Sequence, residues 1–238
     1  KAGYRVAVCD QLEDPKFAKG IVKRDVTEVV TPGVTLNDKL LDNKRNNYLA
    51  AVYIKENFAG FSFADISTGE FFTSEILLSD LKEQIENIIP AEILYPKRDK
   101  EAVERALKTM NNEKPVLTKI EDWVFSFDFG YEILIKHFNT NSLKGFGIEN
   151  MKLGIIAAGA ILNYFLDTQK VNLGHIRKIA RFDHNDFIIL DPPTKRNLEI
   201  ISSISEGNRE GTLLSIIDRT RTPMGGRLFK KWISRPLK

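Results

Sequence analysis

The 238 residues are 42% hydrophobic and 28% charged, enough for one or two globular domains, and hold no apolar run of the ~18 residues a membrane helix needs. One cysteine, Cys9, excludes an internal disulfide and suits a reducing cytoplasm; with His137, His175 and His184 scattered, it makes no zinc-like cluster, and no metal is expected. The net charge of +3 divides into 9 Lys/Arg against 7 Asp/Glu over residues 1–48, 12 against 18 over 49–168 and 14 against 7 over 169–238, which places nucleic acid at the basic ends and repels it from the acidic middle.

In chain order, Tyr4–Cys9 alternates like a strand, and Ile21–Val30 is a second, closed by the turn Thr31-Pro32-Gly33. The chain starts at Lys1 with neither initiator methionine nor signal peptide and runs straight into this pattern, as a piece of a longer protein would. Residues 36–47 are polar and aperiodic and predict a linker. From Tyr48 the pattern is that of a compact α/β unit. Strands are expected at Tyr48–Ile54, Phe61–Ile66 and Glu70–Ile76, with separators (Glu56–Gly60 and Ser67–Gly69) short enough for hairpins. A helix striped by Leu78, Leu81, Ile85, Ile88 and Ile89 follows, then a strand Ala91–Tyr95 that Pro96 ends. Asp99 caps a second helix striped by Val103, Ala106, Leu107 and Met110; a strand at Pro115–Thr118 and a helix at Asp128–Phe138 come next. Met151–Thr168 is apolar nearly all round and predicts a helix buried between layers. This order of elements, over residues 48–182, is the signature of a ribonuclease-H-like mixed sheet with flanking helices.

Lys170–Asn185 reads as a polar connection and Phe187–Leu190 as a short strand; Asp191-Pro-Pro-Thr194 opens a helix reaching Ile204, and everything after it reads as helical. The last helix carries its own punctuation. Thr222 suits the N-cap and Pro223 the first helical position, Met224, Leu228 and Trp232 share one face, Arg227, Lys230 and Lys231 lie on the other, and Arg235-Pro236 ends it.

Three sets of residues invite a functional reading. Asp65, on the first hairpin, stands where a two-metal nuclease of this fold would begin its carboxylate cluster, with Glu70, Glu149 and Asp167 to recruit; Asp65 with Ser67-Thr-Gly69 is also what a tight turn prefers, and the turn is favoured. On the helix Asp128–Phe138, Ile133 falls off the apolar stripe beside Glu132 and Lys136, either as an ordinary surface residue or as part of a partner-docking face. Lys19, Lys23 and Arg24 place cations where a strand could approach a DNA backbone, although lysine and arginine are also default surface residues. No phosphate-binding glycine loop occurs, neither G-x-x-x-x-G-K-[ST] nor G-x-G-x-x-G, and no nucleophile–base motif; by its residues the chain is non-catalytic.

Several stretches together resemble the MutS family of DNA mismatch-repair proteins, in the family's order along nearly the whole chain. Gly3–Pro15 with Val30–Gly33 resembles the end of the mismatch-binding domain (residues 1–35), and Phe63–Phe71, Pro90–Tyr95 and Gly145–Asn150 resemble the connector domain (48–182). Leu190–Ile200 and Thr222–Pro236 resemble the first helices of the all-α core domain (183–238). The resemblance implies a whole protein that dimerises, binds mispaired duplex DNA and uses ATP and Mg²⁺ to signal to a MutL-like partner. For this stretch it implies an interdomain connector and docking module. No cofactor is implied here, because no Phe-x-Glu wedge and no ATPase motif is present. The family's ribonuclease-H-like connector is not a nuclease, which lowers that reading of Asp65.

Overall fold

The computed structural model describes residues 4–11, 22, 24–34, 46–108, 114–169, 173–183, 188, 190, 192–204, 210–234 and 236. Strands β1 (Val6–Gln11) and β2 (Arg24–Val30) form an antiparallel ribbon with a bulge at Val8/Cys9, and β2 runs into the expected turn, closed by paired hydrogen bonds between Thr31 and Val34.

The central unit is a mixed six-stranded sheet. In chain order its strands are β3 (Leu49–Lys55), β4 (Phe58–Asp65), β5 (Glu70–Leu77), β6 (Glu92–Pro96), β7 (Val116–Ile120) and β8 (Ala180–Arg181), laid side by side as β7-β6-β3-β4-β5-β8. The first three pair antiparallel as hairpins; β6 and β7 continue parallel beyond β3, and β8 joins parallel to β5. Alternation in the strands sends successive side chains to opposite faces. Leu49, Ala51, Ala64, Phe71 and Leu94 enter the core beneath α3 (Phe127–Phe138) and α4 (Lys152–Thr168). Ala50, Val52, Phe61, Phe63 and Ile93 enter the core beneath α1 (Leu81–Ile88) and α2 (Lys100–Lys108). As its all-round apolar pattern requires, α4 is buried along nearly its whole length, between the sheet and α3.

Two expectations for the sheet need correction. Gly60, read as part of a hairpin separator, lies inside β4; the turn is the pair Glu56-Asn57, with Glu56 at φ 54. The glycine is there because α4 crosses so closely that a Cβ at position 60 would sit 2.0 Å from the Leu153 carbonyl oxygen. The polar connection after residue 170 contains β8, too short to announce itself by alternation. It is fixed by the Phe182 N–H donating to the Thr73 carbonyl (2.8 Å) and by the Phe182 ring packing edge-on against Phe63 and Phe72.

Beyond the sheet come α5 (Pro192–Asn197), α6 (Leu213–Ile217) and α7 (Pro223–Ser234). The helix expected to reach Ile204 stops at Asn197, because Glu199 turns left-handed (φ 45) and the Glu199 and Ile200 amides fold back on the Arg196 and Lys195 carbonyls. Nor is the remainder all helical: residues 218–222 are irregular, and of Phe187–Leu190 only Ile188 and Leu190 are described, neither in a strand. Thr222 does cap α7, its Oγ1 accepting the Gly225 N–H at 3.1 Å.

Candidate functional site

Helix α3 carries the candidate docking face. Glu132 and Lys136 are exposed, but Ile133 is half-buried and packs against the core that α4 and the sheet share. Its place off the stripe Tyr131, Leu134, Ile135, Phe138 predicts that it stands clear. The helix buries a wider arc than that stripe, with Gly130 set against α4 where a Cβ would meet the Ile155 carbonyl oxygen at 2.9 Å. An exposed apolar group beside this helix comes from the short element before it, and nothing in the α3 stripe signals it. Trp123, on the short helical turn before α3, is 61% exposed and stands edge-on to Phe129 with ring centroids 5.0 Å apart. Since Phe129 and Ile133 are one turn apart on α3, Trp123, Phe129 and Ile133 continue into the charged pair Glu132 and Lys136. The stretch Gly145–Asn150 buttresses this helix: Glu149 Oε1 accepts the Tyr131 hydroxyl at 3.1 Å and Oε2 the Leu143 N–H at 2.7 Å.

Of the candidate DNA-backbone cations, Lys19 and Lys23 lie outside the described residues. Arg24 opens β2, exposed and opposite Gln11.

Asp65 is a turn residue. Its Oδ1 accepts the Ser67 N–H (2.9 Å) and hydroxyl (2.6 Å), and its Oδ2 accepts the Asn47 N–H (3.1 Å) and the Asn46 amide (3.0 Å). Glu70 lies beside it through the same Asn46 amide and also takes the Tyr48 hydroxyl at 2.7 Å. Glu149 is committed to Tyr131 and Leu143, and Asp167 to the Asn163 amide at 2.9 Å. Asp65 and Glu70 thus lie side by side on protein donors, Glu149 and Asp167 are engaged elsewhere, and among the described residues no three such groups are placed to hold a metal ion.

Contacts on both sides tie the central unit to its flanks. On the C-terminal side, Lys231 of α7 reaches Glu70 at 3.4 Å and lies over the Phe72 ring, 4.8 Å from its centroid, while Lys195 of α5 donates to Asn87 at 2.7 Å. On the N-terminal side the contact is buried. Glu92, at the start of β6 and 0% exposed, accepts four hydrogen bonds. Oε2 takes the Thr31 hydroxyl (2.5 Å) and the Gly33 N–H (2.9 Å), and Oε1 takes the Thr118 hydroxyl (2.5 Å) and the Tyr164 hydroxyl (2.8 Å). Burial first, and then the charge of Glu92, push the Tyr164 hydroxyl well above its ordinary value, so it remains a donor throughout the physiological range. Nothing local to Pro90–Tyr95 says that the partners of Glu92 are residues 31, 33, 118 and 164.

Residues 1–39 match the family described as MutS domain I, residues 47–177 match MutS domain II and residues 193–238 match MutS domain III. Among curated proteins, the whole chain is 47% identical to 26% of the DNA mismatch repair protein MutS of Salinibacter ruber. It is 46% identical to 28% of that of Chlorobium chlorochromatii and 48% identical to 27% of that of Flavobacterium psychrophilum. It thus spans about a quarter of the length of the curated relatives it matches. With more than half of its residues in MutS domain II and its flanks in domains I and III, the chain belongs to the MutS family.

Proposed function

We propose that this chain is the connector of a DNA mismatch-recognition protein, together with the end of the mismatch-binding domain before it (residues 1–35, joined by the linker 36–47) and the start of the core domain after it (183–238). The observation that carries the proposal is the order of the three domain matches along one chain whose middle unit is bonded to both flanks, through Glu92 on one side and Glu70–Lys231 on the other. The middle unit, 48–182, is read as ribonuclease-H-like: three antiparallel strands with two parallel ones added beyond the first is the strand order that reading requires. In the whole protein, ATP and Mg²⁺ are bound elsewhere, the protein dimerises on mispaired duplex DNA, and this segment passes the signal to a MutL-like partner from the cytoplasm. Its own role is mechanical and non-catalytic.

The docking face is α3 with its approach: Glu132, Lys136 and the exposed Trp123, with Ile133 behind them. Large aromatic side chains are the commonest energetic anchors of protein interfaces, and Trp123 is the one available here. In the full-length parent, Glu132→Lys combined with Lys136→Glu should weaken MutL binding by surface plasmon resonance without shifting the melting temperature. Trp123→Ala should weaken it by about 2 kcal/mol or more. Ile133→Asp is not a clean probe, because burying part of a charge against the core should lower the melting temperature as well. Unaltered MutL affinity in both the charge-swapped and the Trp123→Ala proteins would remove α3 as the docking face.

A further inference from the structure

We propose that Glu92 is a positioning residue that sets the orientation of the N-terminal segment on the connector, so that the joint between them is a seat and not a free linker. On the family reading, it fixes the direction in which the mismatch-binding domain leaves the connector. The argument rests on how the four donors are divided. One carboxylate oxygen is filled entirely by the turn that ends the N-terminal segment, through the Thr31 hydroxyl and the Gly33 N–H, and the other entirely by the connector, through Thr118 of β7 and Tyr164 of α4. A fully buried carboxylate is tolerable only while its lone pairs are occupied, so lifting the turn away leaves half of the group uncompensated inside the protein. The turn is therefore held at a definite place.

The seat is also shaped. At Gly33 an added Cβ would meet Glu92 Cβ and Leu49 Cδ1, each at 2.8 Å, although its φ is not left-handed; close approach, not conformation, requires the glycine. Val34 is 0% exposed and lies in the core under α4, and the Asn47 amide donates to the Pro32 carbonyl at 3.0 Å. Farther up the ribbon, the Gln169 amide reaches Glu28 at 3.3 Å, and the Arg5 guanidinium lies 5.5 Å from the centre of the Tyr164 ring, the same tyrosine that donates to Glu92. Glutamine could still hold the turn, with Oε1 on the Thr31 hydroxyl and the Gly33 N–H and Nε2 donating to the Thr118 and Tyr164 hydroxyl oxygens, whereas methionine, of similar size, offers the Gly33 N–H no acceptor.

Cys9, the only cysteine and exposed on β1, makes the orientation measurable. With spin labels at Cys9 and at Arg105→Cys, exposed on α2, the 238-residue chain should give a single narrow distance distribution. Glu92→Met and, separately, Gly33→Ala should lose that single population, with the near-ultraviolet circular dichroism of the connector retained. Amide exchange at residues 33 and 34 should accelerate in both. Thr118→Val, which removes a donor on the connector side alone, should lower stability and keep the narrow distance. A short Gly-Ser insertion after Asp38 should also keep it, because chain length does not set the orientation. An unchanged distribution and unchanged exchange at residue 33 in both Glu92→Met and Gly33→Ala would overturn the proposal, as would broadening by the Gly-Ser insertion alone. The experiment involves neither DNA nor partner, so its failure would leave the connector reading standing, and loss of MutL docking would leave this one standing.

Discussion

Asp99 shows how a single buried carboxyl makes stability depend on pH. It precedes α2 with Oδ2 accepting the Ile54 N–H at 2.8 Å and Oδ1 3.4 Å from the Arg98 guanidinium. Burial raises its pKa above the ordinary 3.8, and the Ile54 N–H and the Arg98 charge offset only part of that rise. A carboxyl whose folded pKa is the higher one favours the fold while protonated. That contribution is complete below 3.8 and is lost as pH rises through the folded value. Asp99→Asn keeps the size and an acceptor for Ile54 but cannot ionise. Its stability relative to the parent should therefore rise as pH is raised from 3.8 towards neutrality, read from urea melts at a series of pH values. A difference that does not vary with pH would show that Asp99 titrates as it does in the unfolded chain. Asp65 shows what a single letter withholds. Its four donors are all legible in hindsight, yet from sequence alone a turn carboxylate and a nuclease carboxylate are the same letter, and only the partners at Asn46, Asn47 and Ser67 separate them.

At the scale of elements, α4 is the piece whose burial was plain in the sequence and whose packing was not. An all-round apolar helix has to lie between layers, and it does. What the letters do not say is how near the layers come. Gly60 of β4 meets the Leu153 carbonyl, and Gly159 of α4 faces Gly130 of α3, where a Cβ on residue 159 would lie 2.4 Å from the Gly130 Cα. Both glycines could pass for ordinary turn or helix-weakening residues, because the contact that demands them comes from a distant part of the chain. Gly60→Ala and Gly159→Ala should each cost about 3 kcal/mol or more in urea unfolding, since backbone atoms cannot move aside as a side chain would. Gly145→Ala, with open space around its Cβ position, should stay within about 0.5 kcal/mol. Near-neutral values at positions 60 and 159 would mean that the helix rides farther from the sheet. The same limit on local reading accounts for β8, two residues long and placed by Phe182, and for Ile133, half-buried by a helix arc wider than its stripe.

Across the whole molecule, the charge division seen in the sequence acquires a structural use that competes with DNA. The basic C-terminal segment lies against the acidic connector, and Lys231, on the cationic face of α7, is directed at Glu70 and the Phe72 ring. The opposite face of α7 is turned outward, with Met224, Leu228 and Trp232 exposed by 75%, 47% and 62%. The helix thus places a cation of its polar side on the connector and presents its apolar side to solvent, the reverse of an ordinary surface helix. Because the Lys231–Glu70 pair is itself partly exposed, it contributes at most about 1 kcal/mol and weakens with salt. Cations used in this way are not available to phosphates. Binding of this chain to a fluorescent duplex should therefore be weak, equal for matched and mispaired DNA, and should fall with log salt concentration at a slope no steeper than about −3, as few phosphate contacts dictate. Lys231→Ala should leave that slope unchanged while loosening α7, visible as a smaller salt-induced change in tryptophan emission than in the parent, because the pair that salt weakens is already gone. A slope several-fold steeper, or one that drops on removing Lys231, would place the cationic face of α7 on DNA and not on the connector.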